Sequence, residues 1–375
     1  MRKRDIMKQT KLHHLVRRIA AALLTAAVVC GGAFSVRASA GTQLNLGSKF
    51  DQYVTNAVSD ILEGVVSVPK EYRLNDADLI APKPRRECYG ETDSPEELAA
   101  ILQKAEALLE GDTTLLTPDT ELKEGTTVRY YLDDTILVLN WKQVIDGGVY
   151  TFSEAKVAHA SQFRRFFSGG AYGSAALCTA TEMATSVNAV AASSADYYAY
   201  RPYGICVNNG VIYRLDEDKI LDTCFIDEEG DLLFVPRGEL VTQEEVEQYV
   251  KEHHVRFSLA FGPILIQDGQ ECVPIAYIVG EISKYLSRAA LGQLGTRHYV
   301  TVSVNMEPYA VNMPTLRQFA TRLQELGIPK AYSLDGGQTA TIVMDNTLIN
   351  SVDYGDQRNI SDIIYFATAL PEVEK

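Results

Sequence analysis

The chain has 375 residues, of which 46% are hydrophobic, and its formal net charge is −14. The charge is divided unevenly, because residues 1–40 carry a net charge of +7 and the remaining 335 residues carry −21. A main part with 48 acidic and 27 basic residues argues against nucleic-acid binding, which depends on cationic side chains. It also argues against adsorption of the folded surface to anionic membranes.

The basic N-terminal segment has the features of an export signal. Residues 19–36 contain no charged residue, basic residues precede them, and Ala38-Ser39-Ala40 supplies the small side chains that signal peptidase requires. We therefore predict a signal peptide over residues 1–40, and a secreted or cell-envelope location. An uncleaved membrane anchor at 19–36 is the alternative, because a stretch of this length just reaches across a bilayer.

The cysteines and histidines give no sign of a metal or redox site. Five cysteines follow the predicted signal peptide without a Cys-X-X-Cys pair, and the six histidines are dispersed. The sequence also lacks the signatures of phosphate-binding loops, zinc proteases and serine hydrolases. We therefore expect neither a metal nor a cofactor.

The region 41–125 is predicted to be a helical N-terminal region. Apolar residues recur at helical spacing over 48–65. Ser94-Pro95-Glu96-Glu97 is a capping box with proline at the first helical position, and it predicts a second helix that ends at about Glu110. The region carries no residues that point to chemistry, and we expect a small domain or an arm.

From residue 126 to residue 375 the pattern is that of one domain rich in strands. Apolar and polar residues alternate in the first three segments, which are 127–132, 135–144 and 148–158. Turn pairs between apolar segments predict hairpins at Asn209-Gly210, Asp268-Gly269 and Asp345-Asn346. Helices are predicted from the Thr242–Glu245 capping box and over 314–326. The expected fold is α+β, a mostly antiparallel sheet with flanking helices.

Asp335 is the first candidate for a catalytic group. It follows the short apolar segment AYSL and precedes Gly336 and Gly337. A carboxylate at a strand end, followed by two residues without side chains, leaves backbone N–H groups open to an anionic ligand. A plain Asp-Gly turn would have the same local sequence.

Four segments, taken together and in this order, resemble the phosphodiester glycosidase family. They are 195–214 (ADYY, Arg201 and the VNNGVIYR hairpin), 260–269 (AFGPILIQDG), 287–293 (SRAALGQ) and 325–366 (ELGIPKAYSLDGG, Gln357-Arg358 and SDIIYF). The resemblance covers about residues 130–370. The family includes N-acetylglucosamine-1-phosphodiester α-N-acetylglucosaminidase and bacterial envelope proteins associated with exopolysaccharides.

The resemblance implies hydrolysis of a sugar-1-phosphodiester at its glycosidic C–O bond, in a cell-envelope glycan or exopolysaccharide. Such a reaction calls for a pair of carboxyl groups and for positive charge beside the phosphate. Carried onto this sequence, the resemblance implies Asp335 and Asp196 as catalytic carboxylates, and Arg288 and Arg358 as phosphate ligands. The other substrate-binding residues that it implies are Gly336, Gly337, Gln338, Thr339 and Ser194.

The sequence departs from the family pattern beside Asp196. Ser194-Ala195 stands where the family has Asn-Gly, and Gln338-Thr339-Ala340 stands where Gly-Ser-Ser follows the two glycines. A non-catalytic protein that keeps the fold and binds an envelope glycan is therefore the alternative function. Either way, the expected partner is a carbohydrate or sugar phosphate. No nucleic acid is expected, and a membrane only through residues 19–36 if the signal is uncleaved.

Overall fold

Nineteen strands and four α-helices, numbered in chain order, make up the described part of the chain. The computed structural model describes residues 72–109, 126–215, 220–278, 281–307 and 312–370. All of them belong to one unit, Glu71–Lys375. The predicted signal peptide at 1–40 and the predicted helix at 48–65 lie outside the described residues. No helix within the described ranges is long and apolar enough to cross a membrane.

The largest sheet, sheet 1, has nine strands, each antiparallel to its neighbours. In spatial order they are β1 (Tyr89–Thr92), β2 (Val128–Leu132), β3 (Ile136–Ile145), β4 (Gly148–Val157), β15 (His298–Asn305), β14 (Arg288–Gly295), β16 (Lys330–Leu334), β12 (Ile264–Gln267) and β13 (Gln270–Glu271). Its central strands β4 and β15 are buried along their whole length, and the buried side chains of Glu154 and His298 within them pair with each other at 2.7 Å.

Two five-stranded antiparallel sheets complete the β-structure. Sheet 2 contains β10 (Leu232–Val235), β9 (Thr223–Ile226), β11 (Phe257–Leu259), β7 (Cys206–Asn208) and β8 (Val211–Arg214). Sheet 3 contains β18 (Thr347–Leu348), β17 (Ile342–Met344), β6 (Ala191–Ser194), β19 (Asp362–Phe366) and β5 (Phe163–Phe167). The predicted hairpins are present as β7–β8, β12–β13 and β17–β18, and all six residues of their turn pairs have positive φ.

The four helices are α1 (Pro95–Leu108), α2 (Ala180–Ser186), α3 (Gln243–Glu252) and α4 (Leu316–Glu325). Each begins at a Ser or Thr whose hydroxyl accepts the backbone N–H three residues on, which satisfies one of the unpaired donors of the first turn. The capping signals in the sequence therefore locate the helix starts.

The core is arranged in layers around sheet 1. One face of sheet 1 packs against α1 and α4, through side chains such as Leu98, Phe319 and Leu323. The other face packs against sheets 2 and 3, with Phe163 and Phe257 in that interface. Helix α2 covers the outer face of sheet 3, and α3 covers the outer face of sheet 2. The expectation of an α+β fold with mostly antiparallel sheets and flanking helices is confirmed.

We expect Phe319→Ala to lower the free energy of unfolding by about 3–5 kcal/mol, because the fully buried ring packs on Tyr150 and its loss leaves a cavity. Glu325→Ala, on the exposed side of the same helix, is the control and should change it by less than about 1 kcal/mol. Urea unfolding followed by circular dichroism measures both values. Equal effects of the two changes would contradict the placement of Phe319 in the core.

Candidate active site

Asp335 lies at the end of β16, where sheet 1 meets sheet 3. Its backbone N–H donates to the carbonyl oxygen of Ala195 at 3.2 Å, so the chain segments that follow β16 and β6 are tied together. A Cβ atom at Gly336 would lie 2.6 Å from the carbonyl oxygen of Ser287, so a larger residue would displace the turn. The N–H of Gly337 donates to that same oxygen at 3.0 Å. The two glycines therefore hold Asp335 against the start of β14.

The carboxyl group of Asp335 is buried but incompletely bonded. The residue is 8% exposed, and its Oδ2 atom has no hydrogen-bond partner among the described residues. Burial raises the pKa of Asp335 to about 7, while Thr339, Arg201 and Arg358 oppose the rise and the charge of Asp196 adds to it. A carboxyl group that titrates near neutrality can donate or accept a proton, as a general acid or base must.

Asp196 follows β6 and has protein partners on both carboxylate oxygens. Its Oδ1 accepts the N–H of Tyr197 at 2.6 Å, and its Oδ2 accepts the N–H of Ala260 at 3.0 Å and lies 3.5 Å from Arg165 Nη2. The backbone N–H of Asp196 donates to Asp362 Oδ1 at 2.9 Å, and Asp362 also forms an ion pair with Arg165. The side chain of Asp196 therefore fixes the loop that follows β6.

Arg358 contributes positive charge beside Asp335. Its Nη2 donates to the hydroxyl of Tyr197 at 2.9 Å, and its guanidinium group lies over the Tyr200 ring at 4.4 Å from the centroid. The field of Arg358 is one of those that lower the pKa of Asp335. The structure thus places Arg358 close to Asp335, as a phosphate ligand would require.

Arg201 is a second cation beside Asp335, and no role was predicted for it. Its guanidinium group lies over two aromatic rings, 4.8 Å from the Tyr197 centroid and 4.5 Å from the Phe261 centroid. Its Nη1 and Nη2 atoms are buried and have no hydrogen-bond partner among the described residues. Burial lowers the pKa of Arg201, and the charges of Asp196 and Asp335 oppose that change.

Arg288 begins β14, but its guanidinium group is directed elsewhere. Its Nη2 donates to the carbonyl oxygens of Glu281 at 3.2 Å and Lys284 at 2.6 Å. Burial lowers the pKa of Arg288 to about 10, and Glu281 opposes the change. These contacts tie the 281–284 loop to β14, and the proposed contact of Arg288 with phosphate stays a prediction.

The remaining predicted binding residues hold the backbone around Asp335. Ser194 is buried in β6, and its hydroxyl accepts the N–H of Thr341 at 3.5 Å. The hydroxyl of Thr339 donates to the Gly336 carbonyl oxygen at 2.7 Å, and Gln338 Nε2 donates to a loop carbonyl at 2.9 Å. Within the described ranges, no group of three or more His, Cys, Asp or Glu side chains is placed to hold a metal ion.

The family described as phosphodiester glycosidase matches residues 184–367. This segment is a phosphodiester glycosidase domain. The catalytic domain of zebrafish N-acetylglucosamine-1-phosphodiester alpha-N-acetylglucosaminidase, auto-inhibited by its pro-peptide, is 16% identical with a TM-score of 0.48, over 62% of this chain and 82% of that chain. A hypothetical protein from Synechocystis is 12% identical with a TM-score of 0.45, and the similarity covers 64% of this chain and 63% of that chain. A search of curated protein sequences gives no match.

The phosphodiester glycosidase domain contains both predicted carboxylates and all three arginines discussed above. Asp335, Asp196 and Arg358 lie in one region, and the guanidinium group of Arg288 donates to the carbonyl oxygens of the 281–284 loop. Arg201 was visible in the sequence only as part of the segment that follows Asp196. Its contact with Phe261 depends on the fold, so local sequence could not indicate it.

The pKa shift of Asp335 predicts a pH effect on stability. Between pH 4 and 7 the folded protein holds a proton that the unfolded chain has released, so stability falls as the pH rises through this window. Because asparagine does not ionise, the stability of Asp335→Asn should not fall in this way. We expect the variant to be more stable than the native chain at pH 8, by roughly 2–4 kcal/mol, and equally stable at pH 4.

Urea unfolding at pH 4 and pH 8 measures this difference. Asp268→Asn, at an exposed hairpin turn where asparagine also tolerates positive φ, is the matched control and should have little effect at either pH. A variant Asp335→Asn that is less stable than the native chain at pH 8 would contradict the burial of an ionised carboxylate at this position.

Proposed function

We propose that the chain is an exported hydrolase that cleaves a sugar-1-phosphodiester at the glycosidic C–O bond. The main support is Asp335, a buried carboxyl group with an unpartnered oxygen, next to a cation, Arg358, that can receive phosphate oxygens. Glycosidic cleavage next to phosphate needs an acid at the leaving oxygen and positive charge beside it. The family match over residues 184–367 supports the same reaction class.

In this mechanism Asp335 is the general acid. Its protonated form donates to the bridging phosphate oxygen while the bond from that oxygen to the sugar carbon breaks. The electron pair of the broken bond stays on the phosphate oxygen, and water adds to the sugar carbon and loses a proton. Burial keeps Asp335 protonated to a higher pH than an exposed aspartate, so the acid is available near neutrality.

Asp196 acts by its negative charge. Two backbone donors, the N–H groups of Tyr197 and Ala260, and the nearby charge of Arg165 orient its carboxylate, whose field reaches Asp335. In that position it stabilises the positive charge that develops on the sugar as the phosphate departs. Its bonds to the protein limit its movement, which suits an electrostatic role better than proton transfer.

The proposed substrate is a phosphodiester in a cell-envelope glycan or exopolysaccharide. Export is supported by the predicted signal peptide over residues 1–40. The −21 charge of the remaining residues is consistent with an extracytoplasmic protein that does not adsorb to anionic polymers except at a locally positive site.

A non-catalytic envelope glycan-binding protein is the second candidate. The replacement of Asn-Gly by Ser194-Ala195 beside Asp196 favours it, and Ser194 makes its described contact to backbone within sheet 3. The two candidates differ in one measurable property, the release of a reducing sugar.

We expect the purified protein to release reducing sugar from a sugar-1-phosphodiester, and Asp335→Asn to lower kcat by about 10²–10⁴-fold because the acid is lost. In the native protein kcat/KM should fall about tenfold per pH unit above pH 7, since the protonated form is needed. Asp268→Asn is the control and should match the native rate. Full activity of Asp335→Asn would exclude the acid role. Glycan binding without any released sugar would favour the second candidate.

Arg358 and Arg288 can be separated by conservative changes. We expect Arg358→Lys to raise KM for the phosphodiester about tenfold, because lysine loses the planar fork and its stacking on Tyr200. Arg288→Lys should instead lower the urea midpoint and leave KM within about threefold, because its contacts are to the carbonyl oxygens of Glu281 and Lys284. Steady-state kinetics measure KM and urea unfolding measures the midpoint, each for both variants. A rise in KM for Arg288→Lys alone would restore its predicted role as the ligand.

A further inference from the structure

We infer that Arg201 binds the phosphate group of a singly charged phosphodiester and that this binding makes Asp335 take up a proton. The inference rests on the proposed function, because it names the anion-binding group of the same site. It concerns a residue to which the sequence assigned no role, and it links substrate binding to the supply of the catalytic proton.

The first observation is the placement of the Arg201 guanidinium group. It lies over two aromatic rings, 4.8 Å from the Tyr197 centroid and 4.5 Å from the Phe261 centroid. These cation–π contacts hold the planar group in place, and its N–H donors lie along its edge. A planar edge with two donors matches two oxygens of one phosphate group.

The second observation is that these donors have no protein acceptor. Nη1 and Nη2 of Arg201 are buried without a hydrogen-bond partner among the described residues. A buried charged donor left unsatisfied costs several kcal/mol, so such an arrangement points to a ligand acceptor. Oδ2 of Asp335 is likewise buried and unpartnered. Arg201 and Asp335 therefore present complementary unpaired groups to the same region.

Neutralisation by the neighbouring carboxylates does not account for Arg201. The described residues include no ion pair within 4.0 Å between Arg201 and either Asp196 or Asp335, although the charges of both act on it. Asp196 is occupied by Tyr197, Ala260 and Arg165, as described above. A bridging anion would join Arg201 to protonated Asp335, with the guanidinium group and the carboxyl O–H donating to different phosphate oxygens.

The surroundings hold Arg201 in place before a ligand arrives. The Tyr197 hydroxyl accepts from Arg358, and Phe261 follows Ala260, whose N–H donates to Asp196. Gly262, at φ 72°, packs so closely on Tyr277 that a Cβ would lie 2.2 Å from the Tyr277 hydroxyl. Because the segments that carry both rings are held by these contacts, little ordering of Arg201 is needed when the anion binds.

Binding of an anion changes the charges that act on Asp335. The groups that face it are Arg201 and Arg358, whose fields lower its pKa, Thr339, which also lowers it, and Asp196, which raises it. Behind Asp196 lie Arg165 and Asp362, which form an ion pair with each other. A phosphodiester on Arg201 and Arg358 brings one negative charge close to Asp335, which opposes the fields of the two arginines, so the pKa of Asp335 rises further and the group takes up a proton.

Binding of dimethyl phosphate, a singly charged phosphodiester without a glycosidic bond, tests this on the full chain. Isothermal titration calorimetry at pH 7.5 in two buffers of different ionisation enthalpy gives both Kd and the number of protons taken up. We expect uptake of roughly half a proton or more per site, since Asp335 is largely ionised at this pH before binding. Asp335→Asn should still bind dimethyl phosphate and should show no uptake.

Arg201→Met should weaken dimethyl phosphate binding at least tenfold and Arg201→Lys about threefold, since lysine keeps the charge and loses the fork. Arg86→Met is the control, because Arg86 is an exposed arginine paired with Asp345, and it should bind like the native chain.

Native binding by a folded Arg201→Met, or proton uptake that persists in Asp335→Asn, would overturn the inference. If Arg201→Met does not fold, unchanged binding by Arg201→Lys overturns it and weakened binding supports it. Dimethyl phosphate binding without hydrolysis of any sugar-1-phosphodiester would remove the proposed function and leave this inference standing.

Discussion

The site depends on one buried set of charges, in which Arg165 is held between Asp362 and Asp196. Arg165 is fully buried, and it also donates to the carbonyl oxygens of Val207 and Ser258, so it joins sheet 3 to sheet 2. Removing one partner from such a buried set leaves an uncompensated charge, which costs about 3–5 kcal/mol. The loop that carries Tyr197 and Arg201 and the segment that carries Phe261 both begin at this set, because Asp196 bonds the backbone of both.

The charged residues of the site fall into two groups. Some use their polar atoms in contacts with other protein groups, and others keep buried polar atoms without such a contact. Asp196 uses both carboxylate oxygens within the protein, Arg165 forms ion pairs with Asp362 and Asp196, and Arg288 donates to two carbonyl oxygens. Among the described residues, Asp335 Oδ2 and both terminal nitrogens of Arg201 are buried with neither a hydrogen bond nor an ion pair, whereas Arg165 Nη2, which also lacks a hydrogen bond, lies 3.5 Å from Asp196. Since buried polar groups in folded proteins are nearly always satisfied, the exceptions mark where a ligand completes the structure. This contrast separates the charged groups that build the site from those that are available to a ligand.

The sequence predicts the fold better than it predicts the site. Helix starts at Thr242 and hairpin turns such as Asn209-Gly210 are local signals, and each works because a few neighbouring residues determine the backbone. Asp335 could be found because the glycines that follow it are also local. The direction of the Arg288 guanidinium group and the enclosure of Arg201 by Phe261 depend on contacts between distant segments. No pattern within either segment contains that information.

The acidity of the chain and its proposed anionic substrate are reconciled by local charge. Arg201, Arg358 and Asp196 act directly on Asp335, and Arg165 and Asp362 lie behind Asp196, with Arg165 paired to both aspartates. With Asp335 ionised these six groups sum to zero, and with Asp335 protonated they sum to +1. A singly charged phosphodiester is therefore matched only by the protonated state, so the site gains its positive charge from the proton that the reaction uses. The excess of acidic residues elsewhere is screened over a Debye length of about 8 Å at physiological ionic strength, whereas buried groups are screened much less. The charge that governs binding is therefore that of these six groups, and with Asp335 protonated it differs in sign from the charge of the chain.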